Sequence, residues 1–122
     1  MEEVTIFFDS YAVIELLKEN PAYERFKECT VVITLFNLVE IYWHFLLTNA
    51  HLANRAYAIF RNSVVDIDDE TLKAAMAFRM EHKKQDLSYA DCIGYIYARR
   101  SGMRFLTGDK EFEYIEGVVF VK

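Results

Sequence analysis

One proline and four glycines are all that 122 residues provide for turns. So little turn material excludes a loop-built domain and implies regular elements joined by short connections. Cysteine is nearly as scarce. Cys29 and Cys92 lie far apart, which excludes a disulfide framework and fits free thiols in a reducing compartment. No apolar run reaches the roughly 18 residues a membrane span needs. The most apolar long stretch, 36–47, is interrupted by Asn37, Glu40 and His44. The opening MEEVTIFFDS places acids before its apolar run, unlike a secretory signal. A cytoplasmic location is the expectation from these absences. Positive charge is also short: 14 basic residues against 19 acidic ones give a net charge of −5. That excludes nucleic-acid binding by bulk cationic charge, while leaving room for a local basic rim around an acidic centre.

Apolar material is plentiful. Hydrophobic residues make up 53% of the chain, which excludes disorder. A chain of this length buries a core without metal or disulfide staples, and residues 1–122 are expected to form a single domain.

The hydrophobic pattern alternates between two periods. Residues 4–8 form a brief β-rich run ending at Asp9 and Ser10, as in a central strand covered on both faces. Residues 11–18 have helical spacing, and Asn20-Pro21 breaks it. A second short helix is expected over 22–28 and a second strand over 31–33. Thr34 caps a helix over 35–47, and another helix covers 50–61. Residues 63–67 read as a third strand. Asp68 or Asp69 then caps a helix over 70–82 that turns Leu72, Ala75, Met76 and Met80 inward. Ser88 and Asp91 have capping-box spacing at the start of the next helix, which Gly102 ends after Arg99 and Arg100. A fourth strand follows over 104–107, one helical turn over 110–115, and a fifth strand over 118–121. The alternation predicts an α/β fold in three layers, α/β/α, with a five-stranded, mostly parallel central sheet.

In such a sheet the strand C-termini and the following helix N-termini share one edge, where ligands bind. Asp9 ends the first strand, Glu40 lies in the second turn of a helix, Asp91 in the first turn of another, and Asp109 just past a strand. All four are expected at that edge. One pair of carboxylates about 4 Å apart repels by about 4 kcal/mol at an effective dielectric near 20. A hard cation, Mg²⁺ or Mn²⁺, is the occupant that makes such crowding tolerable. An ion held this way suits phosphodiester chemistry.

These residues resemble a PIN domain, in particular the small single-domain VapC-type toxins. IFFDSYAVIELL is similar to the family's first strand with its acid. VVITLFNLVEIYW is similar to the second strand and its helix, and IEGVVFV to the last strand. LSYADCIGYIYARRSGMRFLTGDKEF is similar to the family's most recognisable stretch. The resemblance implies a metal-dependent endoribonuclease, with Asp9, Glu40, Asp91 and Asp109 holding Mg²⁺ or Mn²⁺ and the hydroxyls of Ser10 and Thr107 supporting them. It also implies an RNA substrate, a homodimer and an antitoxin partner. Asn37 stands where a small hydroxyl residue is usual. Two other readings stay open: the same fold as a binding or scaffolding module without catalysis, and a receiver-type signalling domain, which also clusters acids around Mg²⁺.

Lys83 and Lys84 lead directly towards Asp91 and are expected to contact RNA, with Arg99, Arg100, Arg104 and Lys110 as further rim candidates. His44 and His51 are separated by a turn signal at Thr48-Asn49 and read as ordinary core or surface histidines. The helix from Phe36 is apolar almost all round, so one face is expected to remain for self-association.

Overall fold

The structure, a computed structural model, describes residues 5–122; Glu2, Glu3 and Val4, the last of them expected in the first strand, lie outside the described residues. Strand β1 (Thr5–Phe8) leads into helix α1 (Ser10–Leu17) and β2 (Thr30–Val32) into helix α2 (Leu35–Leu46). Helices α3 (Ala50–Phe60), α4 (Asp69–Glu81) and α5 (Tyr89–Arg100) follow. Strands β3 (Phe105–Thr107) and β4 (Val118–Phe120) close the chain. The strands form one sheet in the order β2-β1-β3-β4, and every pairing is parallel.

Alternation along β1 separates two cores. Ile6 and Phe8 face one side, where Val13, Leu38, Ile41, Phe45 and Phe60 from α1, α2 and α3 cover them. Phe7 faces the other, where Ala75 of α4 and Cys92, Ile93, Tyr95 and Ala98 of α5 pack with Phe105 and Phe112. Phe7, Phe8, Phe105 and Leu106 have no exposed surface, and each large apolar side chain buried in this way contributes roughly 1.5–3 kcal/mol. Helix α5 approaches β1 closely because Gly94 faces the Phe7 ring. A Cβ at position 94 would lie 2.6 Å from that ring.

The sheet has four strands where five are expected. Residues 63–67 do not form a strand. A 3₁₀ turn (Arg61–Ser63) runs straight into a single bridge between Ile33 and Val64. That bridge has two hydrogen bonds, Ile33 N–H to the Ser63 carbonyl at 3.0 Å and Val65 N–H to the Ile33 carbonyl at 2.9 Å. The chain then leaves the sheet because Asp68 must cap α4, accepting from the Thr71 N–H at 2.8 Å.

Smaller departures have local causes. Residues 21–26 form a 3₁₀ helix rather than an α-helix, and Pro21 starts it while Asn20 caps it. The turn after β3 is likewise 3₁₀ and short (Lys110–Phe112). Met76 and Met80 point outward, with 38% and 68% of their surface exposed. Helix α4 fully buries only Thr71 and Ala75, with Leu72 and Phe78 partly buried beside them, and Met76 and Met80 fall outside that narrow stripe. Both cysteines are free.

Candidate active site

The parallel pairing carries one step past the end of β1. Asp9 N–H donates to the Leu106 carbonyl at 3.0 Å, which sets Asp9 beside Thr107. Asp9 is also the N-cap of α1: its Oδ1 accepts from the Ala12 N–H at 2.7 Å. Its Oδ2 accepts from the Thr107 hydroxyl, and the Thr107 Oγ1 in turn accepts from the Asp109 N–H at 2.9 Å. Asp9 is only 2% exposed. Burial, then the charge of Asp91, then that of Asp109 push its pKa well above the usual carboxylate range, against the hydrogen bonds from Thr107 and Ala12.

Glu40 reaches the same place from α2. It accepts from the Ser10 hydroxyl, and Ser10 Oγ accepts from Asn37 Nδ2 at 3.1 Å. Asn37 is fully buried and completes a capping box: its Oδ1 accepts from both the N–H and the hydroxyl of Thr34 at 2.9 Å. Asn37 therefore does the work of the Glu or Gln expected at that capping position, and its amide also holds Ser10.

Asp91 sits in the first turn of α5. Its N–H donates to the Ser88 hydroxyl at 3.0 Å, but the reciprocal bond of a capping box is not among those of the described residues. Its carboxylate is turned to the cleft instead. Burial, then Glu40, then Asp109 raise its pKa to about 7. Asp109 caps the 3₁₀ turn after β3, and its Oδ1 accepts from the Glu111 N–H at 3.0 Å.

Asp9, Glu40, Asp91 and Asp109 line one cleft of about 690 Å³, with Ser10 beside them and Thr107 buried beneath. Among the described residues, the ion pairs are Lys18–Glu15, Lys27–Glu24 and Arg99–Glu116. Among the described residues, no cation pairs with any of the four acids. Nor are any three His, Cys, Asp or Glu side chains among the described residues grouped so as to hold a metal ion as they stand. The donor set nevertheless fits a hard divalent ion. It is all carboxylate oxygen, and an oxygen that already accepts one hydrogen bond keeps a lone pair for an ion.

The cleft also holds residues that the sequence does not single out for it. Tyr11, Ile14 and Glu15 of α1 line it, as do Lys18 at the C-cap of that helix, His44, Gly108 and Lys122, beside the rim candidate Lys110. His44 follows Glu40 by one helical turn, a spacing that places both on one face. Helix α3 begins only after the turn at Thr48-Asn49, so His51 belongs to a separate element. Lys83 and Lys84 lie exposed on a 3₁₀ turn (Lys83–Gln85) and are not among the residues lining the cleft.

The fold and the cleft together define an α/β protein whose acids gather at the carboxyl edge of a parallel sheet. The chain belongs to the PIN-domain family, whose model matches residues 6–118. That membership excludes the receiver-type reading. No curated protein matches the sequence closely. Among solved structures, a toxin–antitoxin complex from Klebsiella pneumoniae is similar at 22% identity and a TM-score of 0.77, covering 93% of this chain and 95% of that one. Mycobacterium tuberculosis VapC20, a toxin that cleaves the sarcin–ricin loop, is similar at 19% identity and a TM-score of 0.70, covering 85% and 91%. VapBC2 from Rickettsia felis, bound to a DNA fragment from its promoter, is similar at 15% identity and a TM-score of 0.71, covering 97% and 98%. At these identities the likeness is one of fold.

Proposed function

We propose that the protein is a Mg²⁺- or Mn²⁺-dependent endoribonuclease that hydrolyses RNA phosphodiester bonds as the toxin of a toxin–antitoxin pair. The observation that carries this reading is the convergence of four carboxylates on one cleft, none of them in an ion pair among the described residues. Such a set costs stability unless a cation is its intended occupant. Asp9, Glu40, Asp91 and Asp109 would hold the ion, which supplies activation of water and relief of charge on the phosphate. Ser10 fixes the Glu40 carboxylate and Thr107 fixes that of Asp9. Their hydroxyls keep two acids aimed before any ion arrives, which lowers the ordering cost of binding it.

The test uses the pure protein with mixed RNA in Mn²⁺, Mg²⁺ or EDTA. Cleavage in the metals and none in EDTA is expected. Intact RNA in every metal would leave the fold as a binding module without catalysis.

A protein partner is part of the proposal, since two of the similar structures are of toxin–antitoxin assemblies. So is a cytoplasmic location, supported by the free thiols. No helix among the described residues is long and apolar enough to cross a membrane. Self-association has its own support. Helix α2 buries Leu38, Ile41 and Phe45, yet Val39, Trp43 and Leu47 on its other side are about 60% exposed. A contiguous apolar stripe of this kind marks an association surface, and the expected form is a two-fold dimer. Sedimentation at micromolar concentration should give twice the chain mass, and Trp43→Glu should give the monomer. A monomeric parent would overturn the dimer.

A further inference from the structure

The cleft is longer than its four acids require. From Asp9 it continues along one face of α1, where Tyr11, Ile14 and Lys18 follow one another at helical spacing. Residue 18 is about 12 Å along the helix axis from residue 10, at 1.5 Å per residue. Lys122 lines the same cleft. We propose that this arm receives a nucleotide of single-stranded RNA next to the bond being cut, with its base against Tyr11 and Ile14 and its phosphates at Lys18 and Lys122. The proposal rests on the ribonuclease reading and adds to it the side on which the strand lies.

Three observations carry it. First, Tyr11 is built into the cleft wall. Its ring presses on Gly108, where a Cβ would lie 2.1 Å from Cε1, and its centroid is 6.3 Å from that of Tyr23. One side of the ring is thus supported while the residue stays partly exposed in the cleft. Its hydroxyl makes no hydrogen bond among the described residues, whereas the buried Tyr23 and Tyr95 each donate to a backbone carbonyl. A supported aromatic ring beside an apolar side chain is a platform for an unpaired base, and it is indifferent to which base arrives.

Second, the cations of the arm are available. Lys122 is in no ion pair among the described residues, and Lys18 meets Glu15 only at 3.7 Å with 55% of its side chain exposed. Asn20 Nδ2 also donates to Glu15 at 2.9 Å, so Glu15 keeps a partner when a phosphate draws Lys18 away. Third, Lys18 and Lys122 line the cleft without pairing with any of its four site acids among the described residues, so both can meet a polyanionic strand that crosses it. A duplex keeps its bases stacked inside and offers no face to Tyr11.

The experiment measures fluorescence anisotropy of a labelled single-stranded RNA in Ca²⁺ across a salt series, with the RNA checked intact on a denaturing gel. The Lys18→Ala, Lys122→Ala double variant should lower the slope of log affinity against log salt by about 1.4, at roughly 0.7 per lost phosphate contact. Tyr11→Leu, which keeps an apolar side chain on Gly108, should weaken binding about tenfold at every salt concentration without changing the slope. Lys83→Ala with Lys84→Ala should change neither. Circular dichroism melts establish that each variant folds. A parent that binds and cleaves RNA while the double variant keeps its slope would overturn the arm and spare the ribonuclease. An equal loss on duplex and single strand in Tyr11→Leu would also overturn it. A parent that neither binds nor cleaves RNA would overturn both readings together.

Discussion

Asp9→Asn should reduce metal-dependent RNA cleavage by about 10²–10³-fold, the scale for losing one group that stabilises charge at a reacting centre. The substitution keeps the shape and removes the charge. It also disturbs the hydrogen bonds around the site. Asp9 accepts on both oxygens, from the Ala12 N–H and from the Thr107 hydroxyl. An asparagine has one acceptor oxygen, so its amide must face one of two donors. The Thr107 hydroxyl is the side that can yield, because it rotates and keeps a second lone pair. That rotation loosens the contact that aims the carboxylate. The fold itself should survive. Asp9 is buried and its charge is opposed by desolvation and by Asp91 and Asp109, so the neutral side chain removes an electrostatic cost. Gel-based cleavage rates in Mn²⁺ and a Mn²⁺ titration by calorimetry check the effect. Wild-type cleavage by Asp9→Asn would remove Asp9 from the site.

Asp91→Asn should stabilise the metal-free protein by about 1–2 kcal/mol at pH 8, as removal of a charge that burial and like-charged neighbours disfavour. For a domain of this size that is roughly 3–6 °C in Tm per kcal/mol. The pH dependence follows from the direction of the shift. The carboxyl has a pKa of about 7 in the fold and about 4 in the unfolded chain. The folded state therefore holds the proton through a window in which the unfolded state has lost it. Stability from this group is full below about pH 4 and falls as the pH rises to about 7. Asp91→Asn should flatten that fall. In saturating Mn²⁺ the order should reverse, because the parent then gains binding free energy that the variant lacks. Thermal melts at pH 5 and pH 8, with and without metal, read both effects. A variant that melts well below the metal-free parent would show that Asp91 serves mainly to cap its helix.

The parts of the fold that were legible in the sequence are those where one local signal decides. Ser88 and Gly102 bound α5, Thr34 starts α2, and the brief β-rich run at 4–8 reads as a strand buried on both faces, with a further strand over 104–107. The parallel sheet followed from the alternation, and with it the edge at which Asp9, Glu40, Asp91 and Asp109 gather. Residues 63–67 misled because Val64, Val65 and Ile67 have β-forming side chains, while strand formation depends on finding a partner over several residues. Here the cap at Asp68 takes the chain away after one bridge. Met76 and Met80 misled because α4 needs only a thin apolar stripe against α5. The role of Asn37 was hidden for another reason. Its value lies in holding Thr34 on one side and, 27 residues away in sequence, Ser10 on the other, and no local pattern records a bond of that span. Tyr11, Lys18, His44 and Lys122 entered the cleft in the same way, through the docking of elements.

The Thr107 hydroxyl holds Asp9 on one side and the Asp109 backbone on the other, and the first of these contacts joins residues 98 positions apart. The acid that ends β1 is thus aimed by a strand synthesised nearly a hundred residues after it. Parallel pairing over such a separation is slow to form, because a long loop must close before any contact rewards it. A chain still emerging from the ribosome can complete α1, α2 and α3, yet it has neither the hydroxyl that orients Asp9 nor the acid at position 109. The cleft is therefore a product of finished folding. Synthesis from the N-terminus keeps the site unassembled until the sheet has closed around β1.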